Sequence, residues 1–386
     1  MDIPFNRPTL PPYALFNKEV EAFYDSGMIT NGPVVRRLET SVRDALLVDN
    51  AVAVSCCTSG LMLALRCKGL SGKVALPSFT FFATAHVLVW NGLEPVFVDV
   101  EPDTWNISQE ALERALEEDE SISAVLPVHV FGNPCDVDAL EDLAGDRGLA
   151  VIYDSAHAMG AKVRDRWVGC FGDAEVFSLS PTKIVVAGEG GVITTPDDEL
   201  AEQLRAGRDY GNKGDYDPVF VGLNARMSEF HAALAMESFQ MLEENVLRRN
   251  AIADKYAEGL SCLPGITPQA IREGNRSTFK DLTVLVNEER FGLSRDALSW
   301  YLSRKGIDSR KYYDPPVHRT KAYRERWGMK YDEFLPVTNR LSRQALSLPI
   351  WSHMELGLVD SVVESVQGAH ERAEEIASGY LKENLP

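Results

Sequence analysis

The chain has 386 residues, of which 45% are hydrophobic and 25% charged, so it can bury a large core and form two domains. Its net charge of −18 argues against a nucleic-acid partner, because no basic run is present to neutralise phosphates. No apolar stretch approaches the roughly 20 residues of a membrane-spanning helix, and the first residues lack a signal-peptide pattern. We therefore expect a cytoplasmic protein that binds neither nucleic acid nor membrane.

The cysteines show no C-x-x-C spacing and no regular disulfide framework. We expect all six to be reduced and mostly buried, and we expect no metal site. They are Cys56, Cys57, Cys67, Cys135, Cys170 and Cys262.

The first half of the chain alternates short apolar runs with amphipathic stretches. The runs predict strands at 51–55, 74–77, 95–100, 124–129 and 150–154. The stretches between them predict helices near 59–69, 82–91, 108–118 and 136–147. Strands that are apolar throughout and separated by helices predict a mainly parallel sheet covered on both faces.

The second half departs from this alternation. Two strands, 175–179 and 190–195, follow each other without a helix, which predicts an antiparallel excursion in the same sheet. Helices at 197–207 and 226–260 come next, and the remainder resembles a small α+β unit. We expect a large domain over residues 1–255 and a small C-terminal domain over residues 256–386.

One lysine and one aspartate indicate the chemistry. Lys183 lies in S-P-T-K, directly after a short apolar strand, and Asp154 ends the strand A-V-I-Y-D. A partly buried lysine has a lowered pKa and can bind an aldehyde cofactor as a Schiff base. Pyridoxal phosphate needs such a lysine for its aldehyde and a carboxylate for its pyridinium nitrogen. The alternative for each residue taken alone is that Lys183 is an exposed surface lysine and that Asp154 only caps its own turn.

Other polar and aromatic residues also follow predicted strands, at the edge where ligands of open α/β sheets gather. Thr58 and Ser59 begin a helix, where free backbone N–H groups favour a phosphate. Ser178 follows another strand, and Phe81 offers an aromatic face to a cofactor ring. The alternatives are that Ser59 is only an N-cap and that Phe81 belongs to the core.

Several segments, taken in order, resemble one family. They are I-T-N-G-P, S-C-C-T-S-G-L-M-L-A-L, P-S-F-T-F-F-A-T-A, V-H-V-F-G-N-P-C-D, Y-D-S-A-H-A-M-G-A, S-L-S-P-T-K, G-E-G-G, G-L-N-A-R-M-S-E-F-H-A-A-L and R-K-Y-Y-D-P-P-V-H. Together they resemble the DegT-like (DegT/DnrJ) sugar aminotransferases, which are fold-type I pyridoxal-phosphate enzymes. The resemblance covers nearly the whole chain. It implies a three-layer large domain with a mainly parallel sheet and a small α+β C-terminal domain.

The resemblance assigns roles around the cofactor. Lys183 matches the Schiff-base lysine and Asp154 the partner of the pyridinium nitrogen. His157 matches a residue that hydrogen-bonds near the cofactor's phenolic oxygen, and Phe81 occupies the place of an aromatic that stacks on its ring. These matches imply pyridoxal 5′-phosphate as the cofactor.

The resemblance also assigns the cofactor's phosphate. Thr58, Ser59 and Ser178 match phosphate contacts. Asn224 matches an asparagine that reaches the phosphate from the other subunit, and Arg226 is expected to support it across that contact. The resemblance therefore implies a homodimer with shared active sites.

Two histidines and two tyrosines are further candidates, and the sequence does not assign a single role to each. His318 lies on a predicted loop and is a candidate for the substrate entrance. Tyr312 and Tyr313 are candidates for contacts with a nucleotide sugar, with small-domain core as the alternative. His129 is expected to be a structural, hydrogen-bonded histidine.

The resemblance implies amination of a nucleotide-linked keto sugar, with L-glutamate as donor, and V-H-V-F-G-N-P-C-D favours a 4-keto-6-deoxyhexose as acceptor. A 3-keto-sugar or an aminocyclitol aminotransferase shares the same residues and stays open. A related sugar dehydratase carries histidine at the lysine position, so Lys183 argues against it. The alternative from another class is a regulatory protein that binds the cofactor without turnover.

Overall fold

The computed structural model describes residues 2–384, except the side chains of residues 328 and 329. The strands are β1 Asn50–Val54, β2 Lys73–Pro77, β3 Glu94–Val98, β4 Ile122–Val125, β5 Ala150–Asp154, β6 Lys162–Val163, β7 Arg166–Trp167, β8 Ala174–Ser178, β9 Gly191–Thr195, β10 Ile266–Pro268, β11 Leu282–Val286 and β12 Ala345–Leu348. The helices are α1 Tyr13–Tyr24, α2 Pro33–Leu46, α3 Cys57–Cys67, α4 Ala83–Trp90, α5 Gln109–Glu118, α6 Val137–Arg147, α7 Asp198–Gly207, α8 Glu229–Gln240, α9 Leu242–Leu260, α10 Glu288–Phe291, α11 Arg295–Arg304, α12 Pro336–Gln344, α13 Leu356–Glu371 and α14 Ala373–Asn384. None of these helices is long and apolar enough to cross a membrane.

The central sheet has seven strands in the order β1-β9-β8-β5-β4-β2-β3. The pairs from β8 to β3 are parallel, whereas β9 runs antiparallel to both of its neighbours. This confirms the predicted mainly parallel sheet with one antiparallel excursion. Because β9 is antiparallel to both neighbours, β1 and β8 run in the same direction on either side of it. Their carboxyl ends therefore lie at the same edge of the sheet.

Two hydrophobic clusters cover the two faces of this sheet. Side chains alternate along each strand, so Val52 and Val54 point into one cluster, and Ala51 and Ala53 point into the other. Helices α3, α4 and α7 pack on the first face, and α2, α5, α6 and α8 pack on the second. The large unit therefore has the predicted three layers.

The C-terminal part forms its own core around the antiparallel sheet β10-β11-β12. The beginning of the chain joins it, since the backbone of Ile3 donates to Gly306 O at 2.7 Å and accepts from Asp308 N at 2.9 Å. Helix α9 contributes Ile252 and Ala253 to the same core. The division at residue 255 stays a prediction, with the first residues of the chain packed against the C-terminal unit.

One predicted helix differs from the structure. The expected helix over 226–260 is two helices, α8 and α9, separated at Met241, whose dihedral angles leave the helical range. The first begins only at Glu229, because the Ser228 side chain caps it by accepting from His231 N. Residue Asn224 therefore lies in an extended segment that pairs with Asp209, not at a helix start.

Candidate active site

A cavity of about 380 Å³ opens at the carboxyl ends of β1, β5 and β8. Most of the residues singled out in the sequence line it together: Thr58, Phe81, Asp154, His157, Ser178, Lys183, Tyr312 and Tyr313. Ser59, Asn224 and His318 do not. The fold thus gathers residues that are up to 255 positions apart, counted from Thr58 to Tyr313.

Lys183 follows β8 in a tight turn, in which its backbone N–H donates to Ser180 O at 3.0 Å. The pKa of Lys183 is lowered to about 8, mainly by burial and then by the positive charge of Lys280. Asp281, Cys57 and Asp154 oppose this shift. With that pKa about a tenth of the amine is neutral at pH 7, against less than about a thousandth for an ordinary lysine.

Asp154 ends β5 and is 5% exposed. Its carboxylate accepts from Thr84 Oγ1 at 2.7 Å and from Ala156 N at 3.1 Å. Burial raises the pKa of Asp154, although these hydrogen bonds and the nearby Lys183 oppose the rise. A buried carboxylate of this kind is stabilised by a cation placed against it.

His157 faces the same cavity, and its ring lies parallel to Phe131 with the centroids 6.3 Å apart. Its Nδ1 is buried and has no hydrogen-bond partner among the described residues. Burial and the charges of Lys183 and Lys280 hold the pKa of His157 well below its usual value. The imidazole is therefore neutral and has one ring nitrogen free to bond a ligand.

The hydroxyl side chains at the start of α3 and at the end of β8 differ in their hydrogen-bond partners. Thr58 faces the cavity. The Ser59 hydroxyl instead closes a cap, since it accepts from Cys56 N at 3.3 Å and donates to Cys56 O at 2.8 Å. Ser178 also lines the cavity and donates to Ser180 Oγ at 3.3 Å. The N-cap of α3 is Cys56, whose Sγ accepts from Ser59 N, so Ser59 is the third helical residue of a capping box and not the N-cap itself. Thr58 and Ser178 line the cavity, and the Ser178 hydroxyl would have to turn away from Ser180 to donate to an anion.

Gly191 lets the start of α3 approach β9. A Cβ atom at this position would lie 2.8 Å from Cys57 N and 2.9 Å from Cys56 C, both of which are backbone atoms. No ordinary side chain fits such a contact without moving the backbone. The glycine therefore fixes where the N–H groups at the head of α3 lie relative to the cavity.

Aromatic rings form the outer wall. Phe81 is 48% exposed, and its ring centroid lies 3.9 Å from that of Phe82. Tyr313 is almost buried and stacks on Phe131 at 5.5 Å, while Tyr312 stacks on Tyr313 at 5.4 Å. The tyrosine pair therefore serves as packing and as cavity wall at once.

The expectation that His318 lies at the substrate entrance is not met. Its side chain is fully buried, and its ring bonds Ser78 Oγ at 2.7 Å and Asp332 Oδ1 at 3.1 Å. Both ring nitrogens therefore have hydrogen-bond partners. The residue lies in a short turn, and the neighbouring Val317 packs into the hydrophobic cluster on one face of the sheet. His318 is a structural histidine in this fold. His129 is likewise fully buried and accepts from Cys135 N at 2.9 Å, as expected of a structural residue.

Asn224 is exposed and lies outside the cavity of its own chain. Arg226 forms an ion pair with Asp209, and its guanidinium lies 5.1 Å from the Tyr210 ring centroid. Since Asp209 pairs through its backbone with Asn224, Arg226 braces the segment that carries the asparagine. The role of Asn224 toward a partner subunit stays a prediction.

Residues 13–367 match the model of the DegT/DnrJ/EryC1/StrS aminotransferase family. The chain belongs to this family.

Named relatives agree with this membership. The chain is 31% identical to the dTDP-4-amino-4,6-dideoxy-D-glucose transaminase of Escherichia coli over 368 residues, which cover 95% of this chain and 98% of that protein. It is 32% identical to the spore coat polysaccharide biosynthesis protein SpsC of Bacillus subtilis (strain 168), over 91% of this chain and 93% of that one. The crystal structure of DesI in the presence of its TDP-sugar product superposes with a TM-score of 0.92, at 33% identity, over 98% of this chain and 95% of DesI. These relatives confirm the predicted family and fold.

The cavity of this aminotransferase also contains residues that the sequence reasoning missed. They are Ser180, Thr182, Glu189, Lys280 and Asp281. Ser180 and Thr182 could have been found, because they lie in the same S-L-S-P-T-K segment as Lys183. Lys280 and Asp281 carried no such signal, since a neighbouring lysine and aspartate before a strand are typical of an exposed surface pair. Among residues 2–384 no group of three or more metal-ligating side chains is present.

Proposed function

We propose that this chain is a pyridoxal-phosphate-dependent aminotransferase that converts a nucleotide-linked 4-keto-6-deoxyhexose to the amino sugar. L-Glutamate is the proposed amino donor. The observation that carries the proposal is the pair of Lys183, with its pKa lowered to about 8, and buried Asp154 in one cavity.

The cavity fits pyridoxal phosphate. Asp154 supplies a buried carboxylate for a pyridinium nitrogen, and the neutral ring of His157, which lines the same cavity, supplies a partner for the phenolic oxygen. Thr58 and Ser178 stand where a phosphate can be bound, beside the first turn of α3. The cofactor of this enzyme is pyridoxal 5′-phosphate, and these are the residues that would hold it.

Bound pyridoxal phosphate supplies an aldehyde that carries the amino group and a pyridine ring that withdraws electrons from the neighbouring carbon. Asp154 holds the proton on the pyridine nitrogen, which preserves that withdrawal. Lys183 removes the α-proton of the donor and returns a proton at the cofactor's aldehyde carbon, acting first as base and then as acid. Its lowered pKa brings both roles close to neutral pH.

The sugar assignment draws on the relatives and on a second cavity. The Escherichia coli relative is named for a 4-amino-4,6-dideoxy sugar, and DesI was crystallised with a TDP-sugar product. A cavity of about 500 Å³ adjoins the first through Thr80 and Phe81, and Arg310 and Lys311 line it. The guanidinium of Arg310 beside an aromatic wall suits the pyrophosphate and base of a nucleotide sugar, and Lys311, which pairs with Asp296, adds a second cation.

The proposed functional unit is a homodimer with shared active sites. Asn224 lies outside its own cavity, and apolar side chains near it are left in solvent, with Tyr210 50% and Val221 79% exposed. A partner subunit would cover them and receive the asparagine at its phosphate site. We also propose a cytoplasmic location, which the free state of all six cysteines supports.

The test uses the purified protein loaded with pyridoxal phosphate. We expect a visible absorbance band that bleaches on addition of L-glutamate, with release of 2-oxoglutarate. Addition of dTDP-4-keto-6-deoxyglucose should then restore the band and yield the 4-amino sugar. A band that glutamate and other amino acids leave unchanged would indicate a cofactor-binding protein without turnover. Amination of a 3-keto isomer instead would reassign the acceptor but not the reaction.

A further inference from the structure

A second buried lysine lies in the main cavity. Lys280 is 5% exposed and Asp281 is 2% exposed, and both line the cavity that holds Lys183. The Lys280 ammonium lies 2.9 and 3.0 Å from the two carboxylate oxygens of Asp281. Neighbouring residues of opposite charge are common on protein surfaces, but burying them costs desolvation free energy. A buried ion pair that lines a cavity therefore indicates a role in that cavity.

The backbone holds this pair firmly between the two parts of the molecule. Lys280 N donates to Phe131 O at 2.9 Å, and Lys280 O accepts from Arg249 Nη1 at 3.0 Å. Thr278, two residues earlier, donates through its hydroxyl to His157 O at 2.6 Å. Lys280 is therefore fixed next to the residues that surround the cofactor, on a segment that leads directly into β11.

Asp281 is shared between two cations. Arg249 is buried, and burial lowers its pKa to about 10 while the nearby charge of Asp281 opposes that shift. Asp154 and Glu189 also line the cavity, but the ion pair of Lys280 is with Asp281 alone. Because Arg249 competes for that carboxylate, Lys280 is left able to bind a second anion in the adjoining space.

The proposed function supplies such an anion. An amino acid donor presents a carboxylate on the same carbon as its amino group, so the carboxylate must enter the cavity with the amine. Among the described residues that line the cavity, the cationic side chains are Lys183 and Lys280, since His157 is neutral. Lys183 is committed to the cofactor aldehyde and to proton transfer, which leaves Lys280.

We propose that Lys280 binds the α-carboxylate of the amino donor and that Asp281 is its counter-ion when the sugar occupies the cavity. This inference rests on the proposed function. The same cavity must accept an anionic donor in one half of the reaction and a sugar ring without a carboxylate in the other. Asp281 keeps Lys280 paired during the second half, and the donor's carboxylate replaces or joins it during the first.

The groups that face the pair come from several elements. Lys183 and Glu189 lie on the segment between β8 and β9, and Asp154 and His157 lie at the end of β5. Tyr312 and Tyr313 close the side toward the second cavity, and the charge of Asp281 raises the pKa of both phenols after burial does. The phenols therefore stay neutral and provide no competing anion.

The first experiment measures binding without turnover. α-Methyl-L-glutamate has the donor's α-carboxylate but no α-proton to remove. Calorimetry with the loaded protein should show that Lys280→Met weakens its binding about 10- to 100-fold, the usual worth of a charge-assisted hydrogen bond. Lys280→Arg should recover part of the affinity. Lys255→Met, which breaks the ion pair between Lys255 on α9 and Asp360 on α13, is the matched control and should bind like wild type.

The second experiment separates the two halves of the reaction. In the wild type, L-glutamate should bleach the absorbance band far faster than its α-carboxamide, and Lys280→Met should erase that preference. The same variant loaded with pyridoxamine phosphate should lose far less rate with dTDP-4-keto-6-deoxyglucose than it loses with L-glutamate. Both halves are compared at the optimum pH of each protein, because Lys280 also lowers the pKa of Lys183. Asp281→Asn should show the opposite pattern, with donor binding kept or tightened and the sugar half slowed.

Unchanged affinity for α-methylglutamate in Lys280→Met, or equal damage to both halves, would overturn the inference. If Lys280→Met does not fold, Asp281→Asn decides, and weaker donor binding in that variant would contradict the proposed pairing. A wild-type protein that no amino acid bleaches would contradict the proposed function instead.

Discussion

At the scale of single residues, the proposed reactivity depends on opposite pKa shifts of two groups in the cavity, Lys183 and Asp154. Burial lowers the pKa of Lys183 to about 8 and raises that of Asp154. A larger fraction of the amine is therefore free base at neutral pH. The buried carboxylate is stabilised more strongly by a cation placed against it than an exposed carboxylate would be. Sequence alone predicted both residues, because Asp154 ends one apolar strand and Lys183 lies in the turn after another. It could not predict Lys280, the second largest cause of the lysine shift, because that depends on the C-terminal unit folding against the sheet.

The lowered pKa has a direct consequence for cofactor loading. The neutral amine of Lys183 is the reactive form, so reconstitution of apoprotein with pyridoxal phosphate should accelerate as pH rises. The rate should level off above about pH 8. An ordinary lysine would let it rise toward pH 10.5. Stopped-flow absorbance from pH 6 to 10, corrected for the ionisation of free cofactor, measures this, and a rise that continues beyond pH 9 contradicts the shift.

Asp154→Asn should leave the fold intact and slow turnover by about two to four decades, or roughly 3–5 kcal/mol of transition-state stabilisation. The reason is the loss of the charge that holds the pyridinium proton. Asp173→Asn is the control, because its carboxylate accepts from Val151 N near the opposite end of the same strand. Circular dichroism and kcat of both variants decide. Unfolding of Asp154→Asn, or equal effects at the two positions, would indicate a purely structural aspartate.

At the scale of elements, the alternation of apolar strands and helices was sufficient to predict the central sheet and its antiparallel strand β9. The break at Met241 and the late start at Glu229 were missed, because apolar and charged residues continue with helical spacing through 226–260. A side-chain cap at Ser228 overrode that pattern. His318 was misplaced for a related reason, since polar loop residues predict exposure and its partners Ser78 and Asp332 are distant in sequence.

The close contact between β9 and α3 predicts a steric effect. Gly191→Ala should destabilise the protein by about 1–3 kcal/mol, because its Cβ would press on the backbone of Cys57 and Cys56. It should also weaken cofactor binding by moving the head of α3. Gly145→Ala is the control, since nothing lies within 4 Å of the added atom. Thermal unfolding and cofactor titration of both variants test this, and equal melting temperatures would refute it.

At the scale of the whole molecule, the sheet and the C-terminal part line one cavity together, the candidate active site. The sheet contributes Lys183 and Asp154, and the C-terminal unit contributes Lys280, Asp281 and the tyrosine pair. The sequence predicted the first group, and it offered the tyrosine pair as a candidate with small-domain core as the alternative. The contribution of a partner subunit through Asn224 is a proposal that one chain cannot show.

Subunit mixing tests the shared sites. Lys183→Ala and the double variant Asn224→Ala, Arg226→Ala should each be nearly inactive. If sites are shared, heterodimers contain one site without either lesion, so activity should return to about a quarter of wild type when the chains mix at random. Mass spectrometry of the native complex verifies that heterodimers form. Heterodimers that form without recovery would contradict the cross-subunit role of Asn224.

The most direct test of the account is to find which lysine bonds the cofactor. Borohydride reduction of the loaded protein, followed by proteolysis and mass spectrometry, fixes the cofactor to the lysine that holds it. We predict the label on Lys183, with no label at that position and no visible absorbance band in Lys183→Ala. Because Lys280 lies in the same cavity, it is the internal alternative. A label on Lys280, or on any other lysine in its place, would contradict the central claim.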